Sequence, residues 1–171
     1  MIYRLIFILL LAGCSGGPAV VQKKTFIDVK GYFQSEIKRL GNYKTEVKKT
    51  VSRNNQTETQ MLNNINWQTE LSLFVESDIN KSAWRNSYKI SKIGKEVIYS
   101  ATDSALKTRQ IRVLEGVNGR IKKVQIKNNT NNMLYQSSEI LTYVPDSLYK
   151  VVKNQKVFII GENRYVISGS F

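Results

Sequence analysis

Apolar residues recur at different periods along this chain, and each change of period predicts a change of structure. Phe26, Val29, Phe33, Ile37 and Leu40 return every three or four residues. This spacing predicts an amphipathic helix with a capping-box-like start at Thr25 and Asp28 and an end near Gly41-Asn42. Tyr43 to Leu62 instead alternates charged residues with Thr and Val around Arg53-Asn54-Asn55-Gln56, the pattern of a polar hairpin at a sheet edge. Trp67, Leu71, Phe74, Val75 and Ile79 then form a second helical stripe, starting near Asn64 to Asn66 with Glu70 in its early turns. An aromatic residue at this spacing is a core residue, so Trp67 is assigned to packing.

From Ser87 the period becomes two. Tyr88-Ile90, Val97-Tyr99-Ala101, Ile111-Val113, Val124-Ile126, Met133 to Val144, Leu148 to Lys153, Val157 to Ile160 and Tyr165-Ile167 read as strands. They are separated by turn-rich breaks at 102–104, 116–119, 128–132, 145–147 and 161–163. Connections this short force antiparallel neighbours, because parallel pairing needs a crossover of about a dozen residues. The expected fold class is α+β: two amphipathic helices packed on a curved antiparallel β-meander.

The start of the chain has a different character. Arg4 precedes an apolar run from Leu5 to Ala12, which is too short to span a bilayer, since a spanning helix needs about 20 residues. A basic residue, an apolar run and a small residue before a processing point are the parts of a secretory leader. Cys14, the only cysteine, follows directly. Leu11-Ala12-Gly13-Cys14 resembles the lipobox of bacterial lipoproteins, such as the small envelope lipoproteins of Bacteroidota, a resemblance carried by about the first 18 residues. The resemblance implies cleavage between Gly13 and Cys14 and acylation of the Cys14 thiol. It divides the chain into a signal peptide at 1–13, a lipidated tether at 14–24 and a single globular domain at 25–171. Two or three acyl chains anchor durably, at about 0.8 kcal/mol per buried CH₂. Ser15 after the cysteine implies outer-membrane sorting in the enterobacterial version of the family, and no acid follows to resemble the surface-export patch of Bacteroidota. The expected location is the cell envelope, lipid-anchored on the periplasmic face of the outer membrane; in a bacterium with one membrane the same leader implies the outer face of the plasma membrane.

Charge bears on partners. The chain holds 26 Lys and Arg against 13 Asp and Glu, and only one of these charges, Arg4, leaves with the leader. Such a balance points to an anionic partner. Export argues against nucleic acid and leaves lipid headgroups, phosphorylated or acidic glycans, or an envelope protein. Lys23 and Lys24 lie within about 35 Å of the anchor at full extension, so they can reach headgroups. The plainer alternative is that these lysines solvate strand faces and guard edges. Oligomeric state is left open.

Catalytic chemistry is hard to find in this composition. Without histidine, Ser-His and Cys-His nucleophiles and Cys/His zinc sites are excluded. Ser-x-x-Lys occurs at Ser35/Lys38, Ser104/Lys107 and Ser147/Lys150, near chance frequency, and the companion motifs of penicillin-binding enzymes are missing. Glu76 and Asp78 fall two apart near a helix end, where their side chains diverge. No catalytic residue, cofactor site or metal site is therefore expected, with a carboxylate-dependent hydrolase the one enzymatic reading left open. Asp103-Ser104-Ala105 and Asp146-Ser147-Leu148 resemble the O-glycosylation sequon of Bacteroidota, which makes Ser104 and Ser147 candidate glycan acceptors; Asp-Ser also starts ordinary turns. Six tyrosines, Tyr88, Tyr99, Tyr135, Tyr143, Tyr149 and Tyr165, fall on or beside the expected sheet, where strand packing competes with a ligand face. Tyr165 to Phe171 resembles the last strand of outer-membrane barrels, but Lys107 to Leu114 and Arg120 to Lys127 place bases on both faces, unlike a lipid-facing barrel strand. The expected function is that of a non-enzymatic lipoprotein binding an envelope component through its basic β-rich domain; the alternative is a carrier of lipid or another apolar ligand on the concave side of the sheet.

Overall fold

The first helix starts where a side chain can replace missing backbone partners. In the computed structural model, which describes residues 25–43 and 45–171, Asp28 caps helix α1 (Val29–Gly41) by accepting from the Gly31 amide at 2.8 Å. The helix thus starts later than the Thr25 capping box predicts, and Phe26, expected on its stripe, is buried ahead of it. Lys38 and Arg39 in the last turn suit the negative end of the helix dipole, and the end at Gly41 is as the pattern predicts. Cys14, Lys23 and Lys24 lie outside the described residues.

Nine strands and two short α-helices follow in order among the described residues. After α1 come β1 (Val47–Arg53) and β2 (Gln56–Leu62), then the short helices α2 (Trp67–Glu70) and α3 (Ser72–Glu76). The strands β3 (Tyr88–Ile93), β4 (Glu96–Ala101), β5 (Thr108–Glu115), β6 (Ile121–Asn131), β7 (Tyr135–Val144), β8 (Leu148–Val157) and β9 (Gly161–Ser170) complete the chain. All nine strands form one antiparallel sheet in the order β2-β1-β9-β8-β7-β6-β5-β4-β3. The fold is mostly β with few helices, and the sheet is not closed. The polar hairpin falls at an edge as its sequence predicts, but it joins the sheet through β9, so the two ends of the domain lie side by side.

The breaks expected at 128–132 and 161–163 are mostly strand, since β6 runs on to Asn131 and β9 starts at Gly161, and two predicted elements differ further. The second helix is not continuous: Asn66 caps α2 as expected, but the chain breaks at Leu71 and restarts. Thr69 and Ser72 are weak helix formers, and the Ser72 hydroxyl bonds the Thr69 carbonyl at 2.8 Å, a local competitor for the helical ladder. Val157 to Ile160 is not a separate strand, because β8 runs on to Val157 and residues 158–160 turn into β9. Gly161 supplies the positive φ of 86° that closes this turn.

Register divides the sheet into two faces. Ile111, Ile126, Leu141, Val151 and Ile167 are successive cross-strand partners, and their side chains share one face. On the same face Tyr143 meets Phe33 of α1 at 5.2 Å and Phe74 of α3 at 6.2 Å between ring centres, while Tyr149 meets Trp67 of α2 at 6.1 Å. Trp67 is buried, as its stripe predicts. Each large apolar side chain buried here stabilises the fold by about 1.5–3 kcal/mol. Gly169 makes room for one of them: a β-carbon there would sit 2.3 Å from the Tyr149 ring.

A buried carboxylate, Glu36, and a half-buried one, Glu70, tie the helices to the same tyrosines. The Tyr143 hydroxyl donates to Glu36, which also takes a bidentate bond from Arg39 at 2.8 Å on both sides. Arg39 in turn reaches Asp146 in the β7–β8 turn at 2.7 Å. The Tyr149 hydroxyl donates to Glu70 at 2.6 Å, and Lys49 of β1 pairs with the other carboxylate oxygen at 2.5 Å.

Candidate binding face and two-hairpin arm

The four central strands run past the part of the sheet that the helices touch. β5 ends at the level of Thr108, which pairs with Asn128, and β1 ends at Arg53, opposite Tyr165. β6–β7 and β8–β9 continue to turns at 132–134 and 158–160, about 15 Å further at about 3.3 Å per residue. The two hairpins therefore form a four-stranded arm that extends from the body.

The junction between arm and body holds a buried polar network. Asn128, 1% exposed, donates to Ser77 Oγ at 3.0 Å and to Glu139 at 3.4 Å, while Lys153 pairs with Glu139 at 3.3 Å. Burial alone would lower the Lys153 pKa, but the Tyr135 hydroxyl and Glu139 overcome it and hold the ammonium charged. Burial likewise acts to raise Tyr135, and bonds from Ser137 and Lys153 bring it below the ordinary value. The network fixes β6, β7 and β8 to one another at the root of the arm.

On the helix-free face of the arm, register sets two cross-strand rows. Asn131, Gln136, Lys156 and Glu162 make the outer row, and Asn129, Ser138, Asn154 and Arg164 the inner one. Together with Asn54 they line a groove of about 610 Å³. Carboxamides supply donors and acceptors side by side, the chemistry that matches vicinal hydroxyls and phosphate oxygens. Lys156 and Glu162 neutralise each other at 3.0 Å, whereas the Arg164 side chain has no ion pair among the described residues.

The same face is basic along the rest of its strands. Lys48, Lys89, Lys123, Lys127 and Lys150 alternate onto it, as do Arg112 and the two bases of the arm. Its strand acids are Glu96 and Glu162, both already paired. The bidentate bond from Arg112 holds the Glu96 carboxyl below its ordinary pKa. The face therefore keeps a net positive field toward solvent.

The residues singled out by sequence are not brought together. Ser104 and Ser147 are both exposed in turns, one between β4 and β5 and the other between β7 and β8. Asp103 accepts from the Ala105 amide at 2.8 Å, as an Asp-Ser turn requires. Ser35, of the first Ser-x-x-Lys, gives its hydroxyl to the Gly31 carbonyl. All six sheet tyrosines point to the helix side, by register; Tyr88, Tyr143 and Tyr149 are buried, and Tyr135 and Tyr165 lie under the cations of Lys153 and Arg53 at 5.8 and 5.7 Å. Among the described residues no helix is long and apolar enough to cross a membrane.

Sequence reasoning missed the groove and the tips beyond it. Met133 and Leu134 end one hairpin, and Phe158, Ile159 and Ile160 end the other, with exposures from 68% to 95%. Their apolar character reads as strand by propensity, so only the flanking Asn131-Asn132 and Gly161 hinted at turns. No family model, curated protein or solved structure matches the chain, so the functional reading rests on this geometry.

Proposed function

We propose that the protein is a lipid-anchored envelope lipoprotein, acylated at Cys14, that binds an anionic envelope glycan through the helix-free face of its sheet without catalysing a reaction. In this reading the α+β body, with its helices lying on a curved meander, is a scaffold held at the periplasmic face of the outer membrane. The observation that carries the proposal is the basic field of that face, ending in two carboxamide rows. Lysines supply long-range attraction, and Asn129, Asn131, Gln136 and Asn154 supply directional bonds to hydroxyls. Carriage of an apolar ligand draws less support, because the rings of Phe33, Phe74 and Tyr143 fill the helix side at 4.7–6.2 Å.

The test is retention of the full-length protein on immobilised anionic envelope polysaccharide. Binding is expected at low salt and release as salt rises past about 0.15 M, where the screening length is about 8 Å. Lys127→Ala with Arg164→Ala is expected to weaken retention at least tenfold. Retention that ignores both salt and these substitutions overturns the proposal. Labelled palmitate that fails to incorporate at Cys14 overturns the anchoring half separately.

A further inference from the structure

We infer that the two hairpin tips of the arm insert into the surface of the bilayer that holds the acyl anchor; the inference rests on the lipid-anchored reading above. Phe158, Ile159 and Ile160 are 80%, 90% and 72% exposed, and Met133 and Leu134 are 95% and 68% exposed. The two turns are joined, because the Phe158 amide donates to the Leu134 carbonyl at 3.1 Å. Five large apolar side chains thus form one cap on the end of the arm, where water contact is most costly.

Three of the five cap amides, those of Leu134, Phe158 and Ile160, are already hydrogen-bonded within the protein. Asn132 Oδ1 accepts from the Leu134 and Tyr135 amides at 3.1 and 2.8 Å. The Asn132 amide bonds the Tyr135 carbonyl, and the Ile160 amide bonds the Val157 carbonyl. Inward-satisfied donors are what a turn needs at the edge of a hydrocarbon layer, where an unpaired group costs several kcal/mol in general. Neither turn carries a charge: residues 128–138 and 157–161 contain none. Directly behind the apolar cap, the outer row mixes the amides of Asn131 and Gln136 with the paired Lys156 and Glu162, and the inner row adds Asn129, Asn154 and the cation of Arg164, a polar and basic belt suited to the interface and anionic headgroups.

A bilayer is favoured over a protein partner by shape and by reach. Five side chains on two narrow turns make a convex, wholly apolar tip that lacks the polar rim of a protein interface. Phe26, near the start of the described chain, packs on Tyr88 and Tyr99, at the level of Leu141 on β7. The Met133–Leu134 turn lies about 23 Å further along the strand direction at 3.3 Å per residue. Residues 14–24 span up to about 35 Å when extended, so anchor and tips can share one membrane.

The test places a reporter at the tip of the full-length acylated protein. Ile159→Cys is labelled with an environment-sensitive fluorophore, and Ser91→Cys on exposed β3 serves as the control. The protein is reconstituted into phosphatidylethanolamine–phosphatidylglycerol vesicles carrying a nitroxide on the acyl chains. At position 159 a blue shift and at least twofold quenching are expected, with neither at position 91. Adding Phe158→Ser and Ile160→Ser is expected to abolish both while leaving the protein vesicle-bound through its anchor. Vesicle-bound protein whose position 159 stays solvent-like overturns the inference and leaves the anchor reading intact. Protein that fails to associate with vesicles at all after the serine substitutions sinks the anchor reading instead. A blue shift already complete without vesicles assigns the cap to contact with a second copy and overturns the inference as well.

Discussion

The two ends of strands β6 to β9 share one backbone ladder and obey opposite rules. At the helix end, Val124, Ile126, Leu141, Tyr143 and Tyr149 are at most 1% exposed, and their rings and aliphatic groups interlock with α1, α2 and α3. At the other end the same strands carry amides on one face and finish in side chains more than two-thirds exposed. The difference teaches that stability here is concentrated rather than spread. One end supplies the burial that holds the sheet, which leaves the arm free to keep apolar side chains at its surface for contact with something else.

The largest effect is expected where the body is cut. Phe33→Ala removes a ring with no exposure that touches Phe74 and Tyr143, and it should lower unfolding free energy by about 4 kcal/mol in denaturant titration. Gly169→Ala drives a methyl group into the Tyr149 ring and should cost about 2 kcal/mol by the same measurement. A value near zero for either would mean that the helix end does not dominate stability.

Alkaline pH gives a graded version of the same comparison. Burial raises the pKa of Tyr88 to about 12, and burial with a neighbouring carboxylate raises Tyr143 and Tyr149 as well, through Glu36 and Glu70. The unfolded reference is 10.0, so these groups bind protons more tightly when folded. The stability they contribute is full below about pH 10 and falls as pH rises through the folded values. Ultraviolet titration should show part of the phenolate signal delayed until unfolding, a delay that Tyr143→Phe with Tyr149→Phe shortens.

The smallest stability effect is expected at the tips. Phe158→Ser with Ile159→Ser and Ile160→Ser should change unfolding free energy by no more than about 0.5 kcal/mol, because these side chains are already in water. A loss as large as that of Phe33→Ala would make the tips part of the core and erase the distinction between the two ends.

How far the sequence discloses this molecule follows the same division. Period-two alternation announced most strands, and the three- and four-residue stripe announced α1, because both patterns record a face buried against the core. The break at Leu71 was less visible, since it depends on a side-chain bond from the Ser72 hydroxyl to the Thr69 carbonyl. That β1 would join β9 was not legible either: edge partners in an antiparallel sheet are set by long-range packing, which leaves no local pattern. The arm was misread for a related reason. Val157-Phe158-Ile159-Ile160 has the composition of a buried strand, and its place at an exposed turn emerges only when β8 and β9 are in register around Gly161. The amide rows were invisible because their members, such as Asn129 and Asn154, are far apart in sequence and fall into one row only when β6, β7 and β8 are in register.

The claim that the arm makes the contacts while the body supports it is tested most directly by hydrogen–deuterium exchange of the full-length protein, free and bound to its own envelope membranes. The account predicts slowed exchange confined to residues 129–138 and 154–164, with the body unchanged. Slowing confined to α1 or β3–β5, with the arm exchanging as in the free protein, would contradict it.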